Sequence, residues 1–332
     1  MKLASLRSNT SDGRLVVVSR DLTRAVAADH IAATMQAALD DWARVTSRLE
    51  ALSHSLEDGT ANETFPFDPA AALSPLPRPR QWLDASAFLN HGILMARAWN
   101  TSNVQVDSEP LMYQGLSDHT LAPTEDVPLP FEQDAIDFEG EFAVILDDTQ
   151  MGVKSQNALA HVRLILFAND WSLRAQGAIE IKRGFGFLQA KPATSYSPVA
   201  VTPDELGDDW QDGRVNLPLV VHRNDAWFGA PLGGEMAFSF GELIAHAAYS
   251  RKLSAGTIVG SGTVSNTAYQ RVGATCISER RCAEMIDQGK AMTPFMAFGD
   301  RVRMEVFDTQ GASIFGAINQ RVIQASIPTT AA

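Results

Sequence analysis

The sequence predicts an α+β protein with a small N-terminal domain and a larger second domain of mixed β structure. Three observations support this fold class. One early stretch has the period of a helix, a proline-rich segment follows it, and short strand-like runs separated by turn residues form most of the remaining chain. The proline-rich segment, residues 60–82, contains five of the 16 prolines and reads as a linker. We place the domain boundary within it, so the predicted domains are residues 1–75 and 76–332.

The first domain is predicted to contain a hairpin and one long helix. Residues 1–20 hold two strand-like runs joined by Asp12–Gly13, a pair that favours a hairpin turn. From Ala27 to about Leu56, apolar residues recur every three or four positions, which is typical of a helix that buries one face.

The second domain is predicted to be mostly β structure with two helices. One helix is expected around Asn157–Arg163 and another over Gly241–Leu253, where Ser239 and Glu242 have the spacing of a capping box. Near the end of the sequence, residues 299–318 alternate between apolar and charged side chains on either side of a turn, which predicts a hairpin.

Composition and charge restrict the class of partner. The chain of 332 residues is 45% hydrophobic and 20% charged, with a net charge of -12, so its surface field would repel nucleic acid and acidic membranes. No apolar run approaches the roughly 20 residues of a membrane helix, and the first residues do not resemble a secretion signal. Cys276 and Cys282 match neither a disulfide framework nor a zinc pattern. We therefore expect a cytoplasmic protein without a nucleic-acid or membrane partner.

The stretch DFEGEFAVIL, residues 137–146, combines a strand pattern with acidic side chains. Side chains of a strand alternate between its two faces. One face of this strand would carry Phe138, Phe142, Val144 and Leu146. The other would carry Asp137, Glu139, Glu141, Ala143 and Ile145. The two glutamates would lie roughly 6.5–7 Å apart, which allows both carboxylates to reach one cation. From the residues alone, a solvated acidic face is the commoner alternative.

A second acidic segment follows the apolar run LILFA, which delivers Asn169 and Asp170 at the end of a predicted strand. Asp170 is the third candidate ligand of a metal ion. Carboxylates without an obligatory histidine or cysteine describe a site made of oxygen atoms, which suits Mg²⁺, Mn²⁺ or Ca²⁺ rather than zinc or copper.

Three motifs occur in a distinctive order: DFEGEFAVIL, NDWSLR and GSGTVSN. Together they resemble the fumarylacetoacetate hydrolase superfamily over about residues 80–325. The resemblance implies a fumarylacetoacetase-type catalytic domain and a homodimer. It further implies four metal ligands, Asp84, Glu139, Glu141 and Asp170. The catalytic residues that it implies are His91, which follows Asp84 by seven positions, Lys191 in QAKP, and Glu279 as the support of His91. The substrate contacts that it implies are Tyr113, Arg174, Gln176 and Thr263.

By this resemblance the protein would be a hydrolase that uses one divalent cation, Mg²⁺ or Ca²⁺ with Mn²⁺ as a further candidate. Its substrate would be a β-diketo acid such as fumarylacetoacetate or an acylpyruvate, cleaved at a carbon–carbon bond in aromatic compound catabolism. The sequence departs from the family pattern at Ser86, Asn100 and Ile277. Two alternatives therefore stay open: a decarboxylase or isomerase of the same superfamily, and a catalytically silent binding protein that the metal stabilises.

Overall fold

The structure is a computed structural model that describes residues 1–100 and 109–326. It contains the following helices: α1 (Met35–Asp40), α2 (Trp42–Glu57), α3 (Leu89–Ala98), α4 (Ser155–Ala158), α5 (Arg174–Arg183), α6 (Phe240–Ala247), α7 (Tyr269–Val272) and α8 (Ile277–Gln288). The first ten strands are β1 (Lys2–Leu6), β2 (Arg14–Val18), β3 (Arg24–Ala27), β4 (Phe65–Pro66), β5 (Gln81–Ala85), β6 (Met112–Gly115), β7 (Val127–Leu129), β8 (Ile136–Asp137), β9 (Gly140–Leu146) and β10 (Val162–Asn169). The others are β11 (Ser172–Leu173), β12 (Ser195–Tyr196), β13 (Ala200–Val201), β14 (Trp210–Gln211), β15 (Arg214–Val215), β16 (Leu219–Arg223), β17 (Ala226–Gly229), β18 (Thr257–Thr263), β19 (Arg301–Val306) and β20 (Ile318–Gln324).

Two sheets organise the chain and confirm the predicted α+β class. The larger sheet has 11 strands in the order β4-β3-β2-β1-β13-β10-β9-β18-β5-β6, with β12 paired to β10. The smaller sheet has five strands in the order β17-β16-β19-β20-β7. Each sheet is mixed, since β18 runs parallel to β5 and β20 runs parallel to β7, whereas the other named pairs of these sheets are antiparallel.

Strand β9 runs through the middle of the larger sheet and separates two hydrophobic cores. Phe142 and Val144 belong to one core, and Ala143 and Ile145 belong to the other. This confirms the predicted alternation of side chains from Gly140 to Leu146. The predicted strand is interrupted before Gly140, because Asp137 belongs to β8, which pairs with β11 instead. The N-terminal strands continue the same sheet, because Lys2 of β1 pairs with Val201 of β13. The proposed domain boundary near residue 75 stays a prediction.

The N-terminal hairpin is confirmed, but the long helix is wrong in its start and its continuity. Strands β1 and β2 pair antiparallel as predicted. Residues 24–27 instead form β3, since pairing with β2 extends the sheet. The helical part begins at α1, where the Thr34 side chain accepts a hydrogen bond from the Ala37 amide. It breaks at Asp41, whose φ of -134° is not helical. The predicted linker is packed, because Phe67 and Leu76 are buried.

The helices predicted in the second domain are shorter in the structure. The first ends before Val162, where β10 begins and pairs with β9. The second is α6, and its capping box of Ser239 and Glu242 is confirmed. It stops well before Leu253, because the backbone of that residue pairs with Thr149.

The final hairpin is present as β19 and β20, with a longer connection than predicted. Within residues 1–100 and 109–326, no helix combines the length and apolar character that crossing a bilayer requires.

Candidate active site

Three buried carboxylates meet at the centre of the larger sheet. Asp84 lies on β5, Glu141 on β9, and Asp170 directly follows β10. Strand β18 lies between β5 and β9 and aligns Gly260 with Asp84 and Thr263 with Glu141. As a result, oxygen atoms of the three acids all lie within 4.8 Å of one another. The fold thus brings together three of the four predicted metal ligands in one tight group.

Two glycines of β18 allow Asp84 to approach the backbone closely. A Cβ atom on Gly260 would lie 2.5 Å from Asp84 Oδ1. The amide of Gly262 donates a hydrogen bond to the same oxygen over 3.1 Å. Gly262 also has a φ of +76°, and a side chain there would clash with the carbonyl of Ala85. The glycines of GSGTVSN therefore serve to position a carboxylate.

The electrostatics of the three acids favour a cation between them. Burial, together with the neighbouring Asp170, raises the pKa of Asp84 to about 8. Burial and then the proximity of Asp84 raise the pKa of Glu141 well above its usual value. Both carboxylate oxygens of Glu141 are buried and have no hydrogen-bond partner among the described residues. A buried acceptor without a partner is costly. A divalent cation with oxygen ligands would remove this cost, so the residues present fit such an ion.

Glu139, the fourth predicted ligand, lies beside the group of three and is paired with two cations. Its carboxylate accepts hydrogen bonds from Arg174, over 2.7 Å, and from Lys191. Burial alone would raise the pKa of Glu139, but the charges of Arg174 and Lys191 outweigh it and hold this pKa below the usual range. Lys191 also donates to Asp170 over 2.6 Å. Lys191 therefore joins Glu139 to the acid cluster.

The predicted base and its support are in contact. His91 lies on α3, and its Nδ1 atom is 2.8 Å from Oε2 of Glu279, which lies in the first turn of α8. Since a carboxylate accepts a hydrogen bond, Nδ1 carries the proton and Nε2 presents its lone pair. His91 lines the cavity above the acids. Glu279 thus makes the contact with His91 that the family pattern would have given to position 277, and its role stays a prediction.

Asp84, Glu139 and Glu141 line a cavity of about 470 Å³. Of the predicted substrate contacts, Tyr113, Arg174 and Thr263 line this cavity. The Tyr113 hydroxyl donates to Oδ2 of Asp170 over 2.5 Å. Gln176 does not line the cavity, and its amide donates to Asp134 over 2.9 Å. The structure therefore does not bring Gln176 to the predicted site.

Asp137 is a fully buried residue of the site to which sequence reasoning gave no role. It accepts a hydrogen bond from Nε of Arg174 over 2.8 Å. It also accepts from the amides of Ile277 and Ser278, at 2.7 and 2.9 Å, and so caps the start of α8. Asp137 thereby connects the helix that carries Glu279 to the arginine that holds Glu139. In the sequence, the signal available for Asp137 was its position on the acidic face of the strand predicted over residues 137–146.

Two further residues at the site were not predicted. The Thr194 hydroxyl donates to Oδ1 of Asp170 over 2.6 Å, and no sequence pattern indicated this contact. The sulfur of Cys276 lies within 4.8 Å of ligand atoms of His91 and Glu139. The same sulfur accepts from the Glu279 amide over 3.3 Å, so this cysteine caps α8 beside the predicted base.

The fold and the acid cluster restrict the class of this protein, and comparison with family models identifies its family. The model described as fumarylacetoacetate (FAA) hydrolase C-terminal matches residues 81–323, and the model described as fumarylacetoacetase N-terminal domain 2 matches residues 1–78. The chain belongs to the fumarylacetoacetate hydrolase family.

Relatives within the family carry different activities in their names. An oxaloacetate tautomerase, mitochondrial, of Xenopus laevis is 28% identical over 167 residues, which cover 48% of this chain and 49% of that protein. A 2,4-didehydro-3-deoxy-L-rhamnonate hydrolase of Sphingomonas sp. (strain SKA58) is 28% identical over 165 residues, which cover 49% of this chain and 55% of that protein. The chain thus spans about half the length of the curated relatives it matches.

A solved structure shows the fold over nearly the whole chain. The maleylpyruvate hydrolase from Sphingobium sp. SYK-6, in complex with manganese (II) ion and pyruvate, superposes with a TM-score of 0.65. The match covers 98% of this chain and 100% of that chain, at 17% sequence identity.

Proposed function

We propose that this protein is a divalent-metal-dependent hydrolase that cleaves a carbon–carbon bond of a β-diketo acid, such as an acylpyruvate or fumarylacetoacetate. The observation that carries the proposal is the arrangement around one cavity. Asp84 and Glu141 line this cavity and form a cluster with Asp170, and His91, in contact with Glu279, lines the same cavity. A chelating substrate bound at the acid cluster would meet a base in the same cavity.

The cation would be held by Asp84, Glu139, Glu141 and Asp170. Oxygen ligands support Mg²⁺, Ca²⁺ or Mn²⁺, and manganese is present in the related hydrolase structure. When bound, the cation would act as a Lewis acid toward the two carbonyl oxygens of the substrate. Lys191 and Arg174 offset part of the charge of the surrounding carboxylates.

His91 would accept a proton from water at Nε2, while Glu279 stabilises the resulting imidazolium at Nδ1. In an acylpyruvate, the water oxygen forms a bond to C4, and the bond between C3 and C4 breaks. The electron pair of that bond remains with C3, which then takes back the proton from His91. The products are the carboxylic acid derived from the acyl group and the remaining keto acid, which is pyruvate for an acylpyruvate and acetoacetate for fumarylacetoacetate.

A second candidate is a tautomerase or isomerase. The same histidine and glutamate could move a proton between carbon and oxygen without bond cleavage. Half of the chain resembles a protein named for oxaloacetate tautomerisation, which supports this alternative. A homodimer in the cytoplasm, with no nucleic-acid or membrane partner and a role in aromatic compound catabolism, stays a prediction.

The test is to follow the enol absorbance of a panel of acylpyruvates and of fumarylacetoacetate, with Mg²⁺, Ca²⁺, Mn²⁺ or a chelator, and to quantify the pyruvate or acetoacetate that is released. Metal-dependent loss of the enol with one equivalent of that keto acid would support the hydrolase. Proton exchange at C3 without cleavage would support the tautomerase. If chelation lowers thermal stability while no diketo acid reacts, the protein is a binding protein and the enzymatic proposal is wrong.

A further inference from the structure

The cavity has two chemically different ends, and the outer end is apolar. Its inner end is the acid cluster, whereas five large apolar side chains line the remainder: Phe88, Leu111, Met112, Ile181 and Phe187. Phe187 packs edge-to-face on Tyr113, with ring centroids 5.0 Å apart. Leu111 and Ile181 are 69% and 67% exposed. Large apolar side chains exposed beside a polar site indicate a surface that an apolar ligand group covers.

Within the described part of the chain, the cavity lacks a cation that is available to bind a second carboxylate of the substrate. Among the residues that the structure describes, the basic side chains that line it are His91, Arg174 and Lys191. Each already contacts protein carboxylates, namely Glu279 for His91, Asp137 and Glu139 for Arg174, and Glu139 and Asp170 for Lys191. The sequence of residues 101–108, TSNVQVDS, adds no lysine or arginine.

The charge of the inner end also disfavours a dicarboxylic substrate. Among the described residues, five carboxylates lie in or beside it, those of Asp84, Asp137, Glu139, Glu141 and Asp170, and the cations paired with them are Arg174 and Lys191. A divalent cation leaves this group negative when all five acids are ionised. A distal carboxylate would lose water on entering the cavity and would face like charges, whereas an apolar group would gain from burial.

We propose that the acyl group of the substrate is apolar, an aryl or branched alkyl group, and that Leu111, Ile181 and Phe187 select it. This inference rests on the proposed function for the diketo acid itself. It assigns the chemical class of the acyl group at the distal end of the substrate, which the acid cluster does not determine.

Two synthetic acids that differ only at their distal end provide the experiment. One is 2,4-dioxoheptanedioate, which ends in a carboxylate, and the other is 7-methyl-2,4-dioxooctanoate, which ends in an isopropyl group of similar shape. Dissociation constants are measured by calorimetry with the Mn²⁺-loaded protein, and kcat/KM is measured in parallel. We expect the isopropyl acid to bind more tightly by about tenfold or more. Equal or tighter binding of the dicarboxylate, or no measurable binding of either acid, would overturn the inference.

The binding measurement separates this inference from the proposed hydrolysis. If the isopropyl acid binds more tightly but neither acid is cleaved, the assignment of the distal group stands and the hydrolase proposal fails. If both acids are cleaved and the dicarboxylate is preferred, the hydrolase proposal stands and this inference fails.

Two isoleucines of α5 provide a matched pair of variants. Ile181 lines the cavity, while Ile179 is 45% exposed on the same helix and does not line it. Ile181→Arg places a cation at the outer end and should shift the preference toward 2,4-dioxoheptanedioate by about tenfold. Ile179→Arg should leave the preference unchanged. A shift of equal size in both variants, or in neither, would contradict the role given to this wall.

Discussion

Nδ1 of His91 lies 2.8 Å from Oε2 of Glu279, although the two residues are 188 positions apart in the chain. The contact joins α3 to α8, and His91 also lines the cavity. Glu279 thus contacts His91, although the family pattern would place the supporting glutamate two positions earlier, at Ile277.

This contact predicts that catalysis depends on both residues. His91→Ala should lower kcat by about 10²–10⁴-fold, because the general base is lost. Glu279→Gln should lower kcat less and change its pH profile, since the imidazolium loses its charged partner. Steady-state kinetics across pH measure both effects, and the thermal shift caused by Mn²⁺ should persist in both variants.

His161 is a matched control, since its Nδ1 lies 2.7 Å from a carboxylate oxygen of Asp147 but it does not line the cavity. His161→Ala should retain kcat. A loss of activity equal to that of His91→Ala would remove the case for His91 as the base.

The unpartnered carboxylate of Glu141 predicts opposite effects with and without metal. Glu141→Gln should raise the melting temperature of the chelated protein at pH 8, by about 2–4 °C for each kcal/mol of removed repulsion and desolvation. The gain should be smaller at pH 5, because that pH is closer to the ordinary pKa of a glutamate and the buried carboxyl group then costs less stability. The same variant should lose most of the stabilisation by Mn²⁺. Differential scanning calorimetry measures both effects, and a lower melting temperature in chelator would contradict the electrostatic account.

The raised pKa values of Asp84 and Glu141 predict how metal affinity depends on pH. For Asp84 the pKa in the folded chain is about 8, whereas that of an unfolded aspartate is about 3.9. Because the pKa of Asp84 is raised in the folded chain, its contribution to the stability of the metal-free fold is fully present below the pKa of the unfolded chain. This contribution is lost as pH rises through about 8. Metal binding must displace the same protons, so affinity for Mn²⁺ should increase between pH 6 and 8 and then level off. Calorimetry in buffers of different ionisation enthalpy would count the released protons, and a flat profile would contradict this account.

The position of Asp137 predicts a combined loss of stability and activity. Asp137→Asn leaves Arg174 without one of its charged partners and weakens the cap of α8, so we expect a destabilisation of about 3 kcal/mol or more. It should also lower kcat, because Arg174 holds Glu139 and α8 carries Glu279. Urea denaturation and kinetics measure the two effects.

The control for Asp137 is Asp126, which pairs with Arg321 on the exposed surface. Asp126→Asn should change stability little, since surface ion pairs contribute weakly. Equal losses of stability in the two variants would show that burial and capping do not explain the effect.

Local patterns predicted the parts of this structure that depend on local physics. The alternation of Phe142 and Ala143 follows from strand geometry, and the capping box at Ser239 follows from the hydrogen bonds of a helix start. The helical period over residues 27–56 did not reveal the break at Asp41 or strand β3, because pairing with a distant strand outweighed a local preference.

The candidate site likewise contains residues that the sequence indicated and residues that it did not. The acid spacing and the family resemblance pointed to Asp84, Glu141 and His91, which line one cavity, and to Asp170, which clusters with the two acids. The role of Asp137 depends on a helix that begins 140 residues later. Such a contact has no local signature in a single sequence.

The parallel pairing of β18 with β5 also affects how this protein is made. Asp84 aligns with Gly260, and β18 itself lies between β5 and β9, the strand that carries Glu141. Contacts between such distant parts of a chain form slowly, since a long loop must close before they contribute. A ribosome must therefore release the chain beyond Thr263 before the nascent protein can assemble its acid cluster, and refolding from denaturant should recover catalysis later than helical content.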